Sequence, residues 1–249
     1  MAKVNVIKKV KEAKEVKEVV VSEIKKALDK LKFFCIDDFK KYVGVHITTN
    51  HTGKMRGMIS LSTSCLCNKY CKAYAKDPKK VCHKCYAVTQ MNYQKSMQPC
   101  FEKNTKILTE SIIPKEYLPI INAAVFRFEA FGDIQNETQV INYFNICKKN
   151  KHVNFALWTK NPAIIDRTIK SGHAKPKNLQ IVLSSHYLNK VADINRWSFV
   201  DKIFTVFTKD YIEENNVKIN CKGESCLLCQ KCYHKNKEIY MNEELRGKI

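Results

Sequence analysis

The chain has 249 residues, of which 45% are hydrophobic, and it carries 44 lysine and arginine residues against 24 acidic residues. This length and composition allow one sizeable core. No apolar run approaches the roughly 20 residues needed to span a bilayer, and the N-terminus lacks the apolar segment of a secretory signal. We therefore expect a cytoplasmic protein that is not inserted in a membrane.

The formal net charge is +20, which can mark a nucleic-acid partner, because neutralised phosphates release counterions. Only five of the basic residues are arginine, however, and the lysines are spread along the whole chain. Arginine is the preferred bidentate ligand of phosphates and guanines. Nucleic-acid binding through the basic surface is therefore an alternative rather than the leading interpretation.

Residues 4–32 predict an amphipathic helix, because apolar residues recur at steps of three and four positions with lysine and glutamate between them. We expect this helix, within residues 1–34, to cover one end of the domain. Residues 35–249 are predicted to form a single α/β domain, with cysteine-rich segments at 65–100 and 221–233.

The first cysteine-rich segment follows a short strand candidate, "GMISLSTS" at 57–64. Residues 65–100 contain few periodic apolar positions, so they are predicted to be a loop-rich cap. A helix is predicted next, at "FEKNTKILTESI" (101–112).

A regular alternation of strands and helices follows. The strand-like runs are 123–131, 153–158, 179–184 and 202–207, and the helix-like stretches between them are 137–150, 162–172 and 187–197. One helix per interval requires parallel strands joined by crossovers. Because only four such units are visible, the sequence predicts an α/β fold with a partial or distorted βα barrel, or an open sheet, rather than a complete eight-unit barrel.

Polar side chains follow these strands at their carboxyl ends, where α/β folds collect their sites. The candidates are Asp133, Lys160, Ser184 and Ser185. Arg127 and Glu129 lie two positions apart on one predicted strand, so we expect both side chains on the same face. We predict that Arg127, Glu129, Asp133 and Lys160 act on a small polar or anionic ligand, and that Ser184 and Ser185 help to bind a cofactor.

Nine of the twelve cysteines fall into two groups, at 65–85 and 221–232. A cytosol keeps thiols reduced, so thiols at such short gaps are more typical of metal ligands than of disulfides. Two consecutive gaps of two residues, in Cys226-x2-Cys229-x2-Cys232, resemble a ferredoxin run for an iron–sulfur cluster. The predicted ligands are Cys65, Cys67, Cys71, Cys82, Cys85, Cys221, Cys226, Cys229 and Cys232. Nine thiols exceed one four-ligand site, so we expect one or two clusters, of the 4Fe–4S type, with zinc as the alternative.

Several motifs occur in an order that resembles a known family. They are "SLSTSC", "CHKCYA", "KN" at 103–104, "FRFEAFGD", "WTKNP", "VLSS" and a C-terminal "C-x2-C-x2-CY". Over roughly residues 55–233 this order is similar to the phage gene-product-eighty-eight-like proteins, a cysteine-rich family carried by bacteriophages. The resemblance implies a barrel-like α/β fold with iron–sulfur ligation and, for a phage protein, location in the host cytoplasm.

A more distant likeness is to radical SAM enzymes, which combine a partial βα barrel with a cluster held by three cysteines. "CHKCYA" looks like the end of such a cluster loop, and "FGD" at 131–133 stands where that superfamily places a Gly-Gly-Glu element. The likeness implies SAM as a further cofactor. The cysteine gaps depart from the usual triplet, because Cys71 is followed by a ten-residue gap before Cys82.

The leading hypothesis is an iron–sulfur protein, a redox or radical-type enzyme that has a polar pocket at its strand ends and an electron donor protein as partner. The alternative is a zinc-stabilised nucleic-acid-binding protein, in which the cysteines support the fold and the lysines contact phosphates. The sequence leaves open whether a reaction is catalysed. The remaining cysteines, Cys35, Cys100 and Cys147, are expected to be small core residues.

Overall fold

The computed structural model describes residues 34–245. The predicted N-terminal amphipathic helix, at residues 4–32, therefore lies outside the described residues. Phe34 is buried in the main core. Between residues 34 and 245, no helix is both long and apolar enough to cross a bilayer.

Six strands form one sheet, and their order in the sheet follows their order in the chain. They are β1 (Ile59–Leu61), β2 (Val125–Phe128), β3 (Asn154–Thr159), β4 (Leu179–Ser184), β5 (Lys202–Phe207) and β6 (Tyr240–Glu244). Every neighbouring pair is parallel, which confirms the predicted α/β class with parallel strands. In the described part of the chain the sheet is open, with β1 and β6 at its edges, so the predicted barrel is not confirmed.

The helices connect the strands and flank the cysteine groups. They are α1 (Ile36–Asp38), α2 (Lys69–Ala75), α3 (Tyr86–Tyr93), α4 (Met97–Glu110), α5 (Glu137–Lys149), α6 (Pro162–Lys170), α7 (Lys209–Asn215) and α8 (Cys226–Cys229). A π-helical turn, Phe39–Val43, continues α1. Short 3-10 turns lie at Gly53–Met55, Val81–Lys84, Lys115–Tyr117 and Ile194–Arg196. Helix α5 begins where the sequence predicts, because the side chain of Asn136 caps it by accepting from the Gln139 N–H.

The two faces of the sheet are covered by different parts of the chain. One face packs against α4, α5 and α6 in the largest hydrophobic cluster, through strand residues such as Phe126, Phe155 and Ile181. On the opposite face, Ala156 and Val182 lie under Tyr233, together with Cys226 and Cys232. The second cysteine group therefore lies over the sheet face that the helices leave open.

Three segments differ from the sequence predictions. The predicted helix at 187–197 is wrong, because only the 3-10 turn Ile194–Arg196 forms there. Asn189 has a φ of 60°, outside the right-handed helical region, and its side-chain oxygen accepts from the Thr208 N–H at 2.8 Å, so a contact with the segment after β5 replaces the first helical turn. Residues 65–100, predicted to be loop-rich, contain α2, α3 and the start of α4. Strand β6 is missing from the predictions, because "YMNEE" lacks an apolar run.

Candidate metal centre

The first cysteine group lies at the carboxyl end of β1. The chain leaves β1 through three buried polar residues and reaches Cys65. Asn68 caps α2, with its side-chain oxygen accepting from two backbone N–H groups, and Cys71 lies within that helix. Cys82 lies in a 3-10 turn, and Cys85 directly precedes α3. Short elements thereby fold this segment back on itself.

Four thiols of this segment influence one another. A hydrogen bond between Cys65 and Cys85 raises the pKa of Cys65 and lowers the pKa of Cys85 to about 6. Burial, together with nearby negative charges that include Cys82 and Cys85, raises the pKa of Cys71. Burial also raises the pKa of Cys82. We call Cys65, Cys71, Cys82 and Cys85 the first quartet.

The other cysteines of the first half of the chain have separate environments. Cys67 is exposed and lies outside the first quartet. Cys147 is buried, as predicted, and Cys100 is half-buried. Cys35 is exposed and its thiol donates to Asp38 Oδ2 at 3.2 Å, so the core prediction for Cys35 is wrong. All twelve cysteines are free thiols, and among residues 34–245 no group of three or more Cys, His, Asp or Glu side chains stands in position to hold a metal ion.

Two charged residues from the strand ends lie beside the first quartet. Lys160 follows β3, and its ammonium donates to Ser184 Oγ at 2.6 Å while its charge favours the thiolate of Cys82. Asp133 follows β2 and accepts from Thr159 Oγ1 at 2.6 Å and from the Lys160 N–H at 2.8 Å. Burial raises the pKa of Asp133, although these hydrogen bonds oppose the effect. Asp133 thus joins the ends of β2 and β3.

Tyr70 attaches helix α2, which carries Cys71, to the neighbouring strand ends. Its hydroxyl donates to the Lys160 carbonyl at 2.6 Å and lies 2.6 Å from His186 Nε2. Tyr74 stacks on Tyr70 with ring centroids 4.1 Å apart. Burial, and then the charge of Lys160, lowers the pKa of His186 to about 4, so this imidazole is neutral at pH 7. The contacts fix α2 to the carboxyl ends of β3 and β4.

Glu129 holds the segment that precedes Cys65 in place. Its buried carboxylate accepts from the Thr63 N–H at 3.1 Å, from Gln139 Nε2 at 2.6 Å and from the Tyr143 hydroxyl at 2.5 Å. Burial raises the pKa of Glu129 to about 7, against the effect of these donors. Glu129 therefore ties the segment that leads to Cys65 to helix α5.

Arg127 and Glu129 do not share a face, so that prediction is wrong. Strand β2 ends at Phe128, and Glu129 has a φ of 54°, in the left-handed region, which turns its side chain towards α5. Arg127 points to the opposite face, where its guanidinium stacks on Trp158 at 4.0 Å from the ring centroid. The two charges therefore belong to different sites.

Gly132 leaves no room for a side chain next to Glu129. A Cβ at this position would lie 2.5 Å from the Thr63 carbonyl oxygen and 2.6 Å from Glu129 Oε2. We expect Gly132→Ala to lower the free energy of unfolding in urea by about 3 kcal/mol, because the clash is with backbone. Gly172→Ala is the control, since nothing lies within 4 Å and only its φ of +96° is strained, at about 1 kcal/mol. Equal losses for both variants would contradict the expectation.

The second cysteine group precedes β6. Helix α8 begins at Cys226 and ends at Cys229, and Gln230, with a φ of 49°, turns the chain towards Cys232. The ammonium of Lys54 lies 2.9 Å from Cys221 Sγ and donates to Glu243 Oε1 at 2.8 Å. A lysine 167 positions away thus holds Cys221 at the end of this segment.

The four thiols of this group also influence one another. Burial, reinforced by the charge of Cys221, raises the pKa of Cys232 to about 12. Burial raises the pKa of Cys226 as well, with Cys221 and Cys229 adding to the effect. The positive charges of Arg127 and Lys54 oppose it and favour the thiolate of Cys226. We call Cys221, Cys226, Cys229 and Cys232 the second quartet.

The sheet face under the second quartet carries polar groups that lack partners. Arg127 pairs in register with Ala156, and Ala156 pairs with Gln180, so the three side chains share this face. Within the described residues, Arg127 Nε, Gln180 Oε1 and the Tyr233 hydroxyl are buried without a hydrogen-bond partner. Such groups are rare in native proteins and call for a bound molecule or ordered water.

The two serines predicted to bind a cofactor are used within the fold. Ser184 accepts the hydrogen bond from Lys160, and Ser185 Oγ shares a hydrogen bond of 2.9 Å with Thr205 Oγ1. Lys54 contacts Cys221 and Tyr143 contacts Glu129, and neither residue is among the predicted site residues. No local motif marks either residue, because each partner is distant in the chain.

The fold and the thiols define a cysteine-rich, parallel α/β protein with two quartets of thiols, one at a strand end and one on a sheet face. A family model described as Gene product 88 matches residues 39–243. The chain therefore belongs to the Gene product 88 family, the phage family that its motifs resemble. No curated protein and no solved structure matches the chain significantly, and the likeness to radical SAM enzymes stays a prediction.

Proposed function

We propose that this phage-type protein binds iron–sulfur clusters through its two quartets, one 4Fe–4S cluster in each, and that it is a redox or radical-type enzyme of the host cytoplasm. One observation carries the proposal: eight of the twelve free cysteines fall in two short segments, and within each segment the thiols shift one another's pKa. Four cysteine thiolates are the ligand set of a 4Fe–4S cluster.

The surroundings of both quartets suit thiolate ligands. In the first quartet the neighbouring Cys65 thiol lowers the pKa of Cys85, which favours its thiolate. In the second quartet the ammonium of Lys54 lies against Cys221. Lys160 and Arg127 add positive charge beside the first and second quartets. A bound cluster would supply one-electron transfer or activation of a substrate.

Two of the predicted ligand-binding residues are the better candidates for contact with a polar or anionic substrate. Arg127 has a buried Nε that lacks a partner among the described residues, and Lys160 lies at the strand ends next to the first quartet. The carboxylates of Glu129 and Asp133 already accept hydrogen bonds from neighbouring side chains, so we assign them to positioning the strand ends.

We also propose that the sheet is part of a βα barrel, with residues 65–100 as its cap. The sequential order of the six strands supports this, because a βα barrel has the same order.

The second candidate is a zinc-stabilised nucleic-acid-binding protein. It is favoured by the net charge of +20 and by the number of thiols in each quartet, which equals that of a structural Cys₄ zinc site. In that case both metals would only support the fold, and the lysines would contact phosphates.

Metal analysis after anaerobic purification separates the two proposals. We expect a brown protein with about eight iron and about eight acid-labile sulfide per chain, four for each quartet. A colourless protein with about two zinc ions would support the nucleic-acid-binding alternative. Adding SAM to the reduced protein and recording the EPR spectrum tests the radical-type reaction. A change in that spectrum would support it and would mean that one quartet supplies only three ligands, because SAM binds an iron that has no cysteine ligand. An unchanged spectrum would favour electron transfer by two clusters with four cysteines each.

A further inference from the structure

A basic cleft lies between the π-helical turn and helix α4. Its volume is about 470 Å³, and it is lined by Lys40, Gly44, His46, Pro99, Cys100 and Lys103. None of the eight quartet cysteines is among these residues. A cleft of this size accommodates a small organic molecule.

The wall of the cleft is held in place by hydrogen bonds between the Asn104 side chain and the backbone of His46. The side chain of Asn104 accepts from the His46 N–H at 2.7 Å and donates to the His46 carbonyl at 2.9 Å, so α4 and the segment after the π-helical turn are joined. Gly44, with a φ of +87°, lets Lys103 lie across it, because a Cβ there would be 2.8 Å from Lys103 Cε. The position of Lys103 thus depends on the absence of a side chain at residue 44.

The lining carries positive charge and no acidic residue. Within residues 34–245, neither Lys40 nor Lys103 forms an ion pair. Burial and then Lys40 lower the pKa of His46, so its imidazole is neutral at pH 7 and can exchange a hydrogen bond with a ligand. The ammonium groups of Lys40 and Lys103 suit a ligand with two negative charges. The neutral imidazole of His46 suits a polar organic group on the same ligand.

We propose that this cleft binds a small molecule that carries a phosphate group. The two ammonium groups of Lys40 and Lys103 would contact the phosphate oxygens, and the remaining volume would hold the rest of the molecule. Free phosphate and a phosphorylated metabolite share this chemistry. The site is independent of the clusters, since it uses none of their ligands.

Calorimetric titration with inorganic phosphate, AMP and adenosine tests the proposal on the full chain, prepared with and without iron. We expect AMP, or phosphate alone, to bind and adenosine not to bind. Lys40→Gln and Lys103→Gln should each weaken binding about tenfold, the loss of one charge-assisted contact. Lys148→Gln, which removes an exposed lysine of α5, is the matched control and should leave binding unchanged.

Alkylation of Cys100 by iodoacetamide, followed by peptide mass spectrometry, shows where the ligand binds. Cys100 lines the cleft, and burial raises the pKa of its thiol, so it should react slowly in the free protein and more slowly still when AMP or phosphate is bound. Equal binding of adenosine, equal loss in Lys148→Gln, or no binding by either phosphate compound would overturn the proposal. So would a Cys100 that reacts at the same rate with and without AMP or phosphate.

Discussion

Replacing Cys71 by serine should remove about half of the iron and sulfide from the anaerobically purified protein. Cys71 belongs to the first quartet, where its thiol responds to Cys82 and Cys85, and a serine hydroxyl is a poor substitute for a thiolate ligand. Cys226→Ser should remove the other half, because Cys226 lies in the second quartet with Cys221 and Cys229. The double variant should contain almost no iron.

Cys67→Ser is the matched control for this experiment. Cys67 lies in the same segment as Cys71 but is exposed and outside the first quartet, so its replacement should leave the iron content unchanged. Iron and sulfide analysis together with the EPR spectrum of each variant gives the readout. Loss of all iron in either single variant would show that the two quartets hold one shared centre, and loss in Cys67→Ser would return Cys67 to the ligand set.

Replacing Glu129 by alanine should lower the free energy of unfolding by about 3 kcal/mol or more at pH 5. The substitution leaves three buried donors without an acceptor, on Thr63, Gln139 and Tyr143, and each such donor costs about 1–3 kcal/mol. Urea denaturation of both proteins measures the difference.

The cost of this substitution should shrink as the pH rises. Burial raises the pKa of Glu129 from 4.5 to about 7, so the folded state holds the proton more tightly than the unfolded state. The stabilising contribution of this group is complete below pH 4.5 and is lost as the pH rises through about 7. The difference between wild type and Glu129→Ala should therefore be about 2–3 kcal/mol smaller at pH 8 than at pH 5.

The Glu129→Gly variant distinguishes the effect of losing the carboxylate from the effect of backbone strain at residue 129. Glu129 has a φ of 54°, which glycine adopts freely and alanine does not, so Glu129→Gly should be about 1 kcal/mol more stable than Glu129→Ala. Between pH 5 and pH 8 the free energy of unfolding of both variants should change by about 2–3 kcal/mol less than that of the wild type. A change as large as in the wild type would assign the effect to another group, with Asp133 the first to test.

The class of fold follows from the sequence alone. Apolar runs such as "LQIVLS", in which all six residues are buried, indicate parallel strands, because a strand buried on both faces is apolar throughout. The spacing of Cys226, Cys229 and Cys232 likewise marks one set of thiols, since gaps of two residues bring side chains together within a single turn. These features depend on neighbours in the chain, so local patterns reveal them.

Only the tertiary structure decided how the cysteines and the charged residues are shared between sites. It separates Cys67 from the four thiols of the first quartet and brings Lys54 to Cys221. It also turns Glu129 away from Arg127, because strand β2 ends at Phe128, three residues before the end of the predicted strand at 131. Such contacts join residues that are far apart in the chain, and their geometry depends on the packing of the whole sheet rather than on any local pattern.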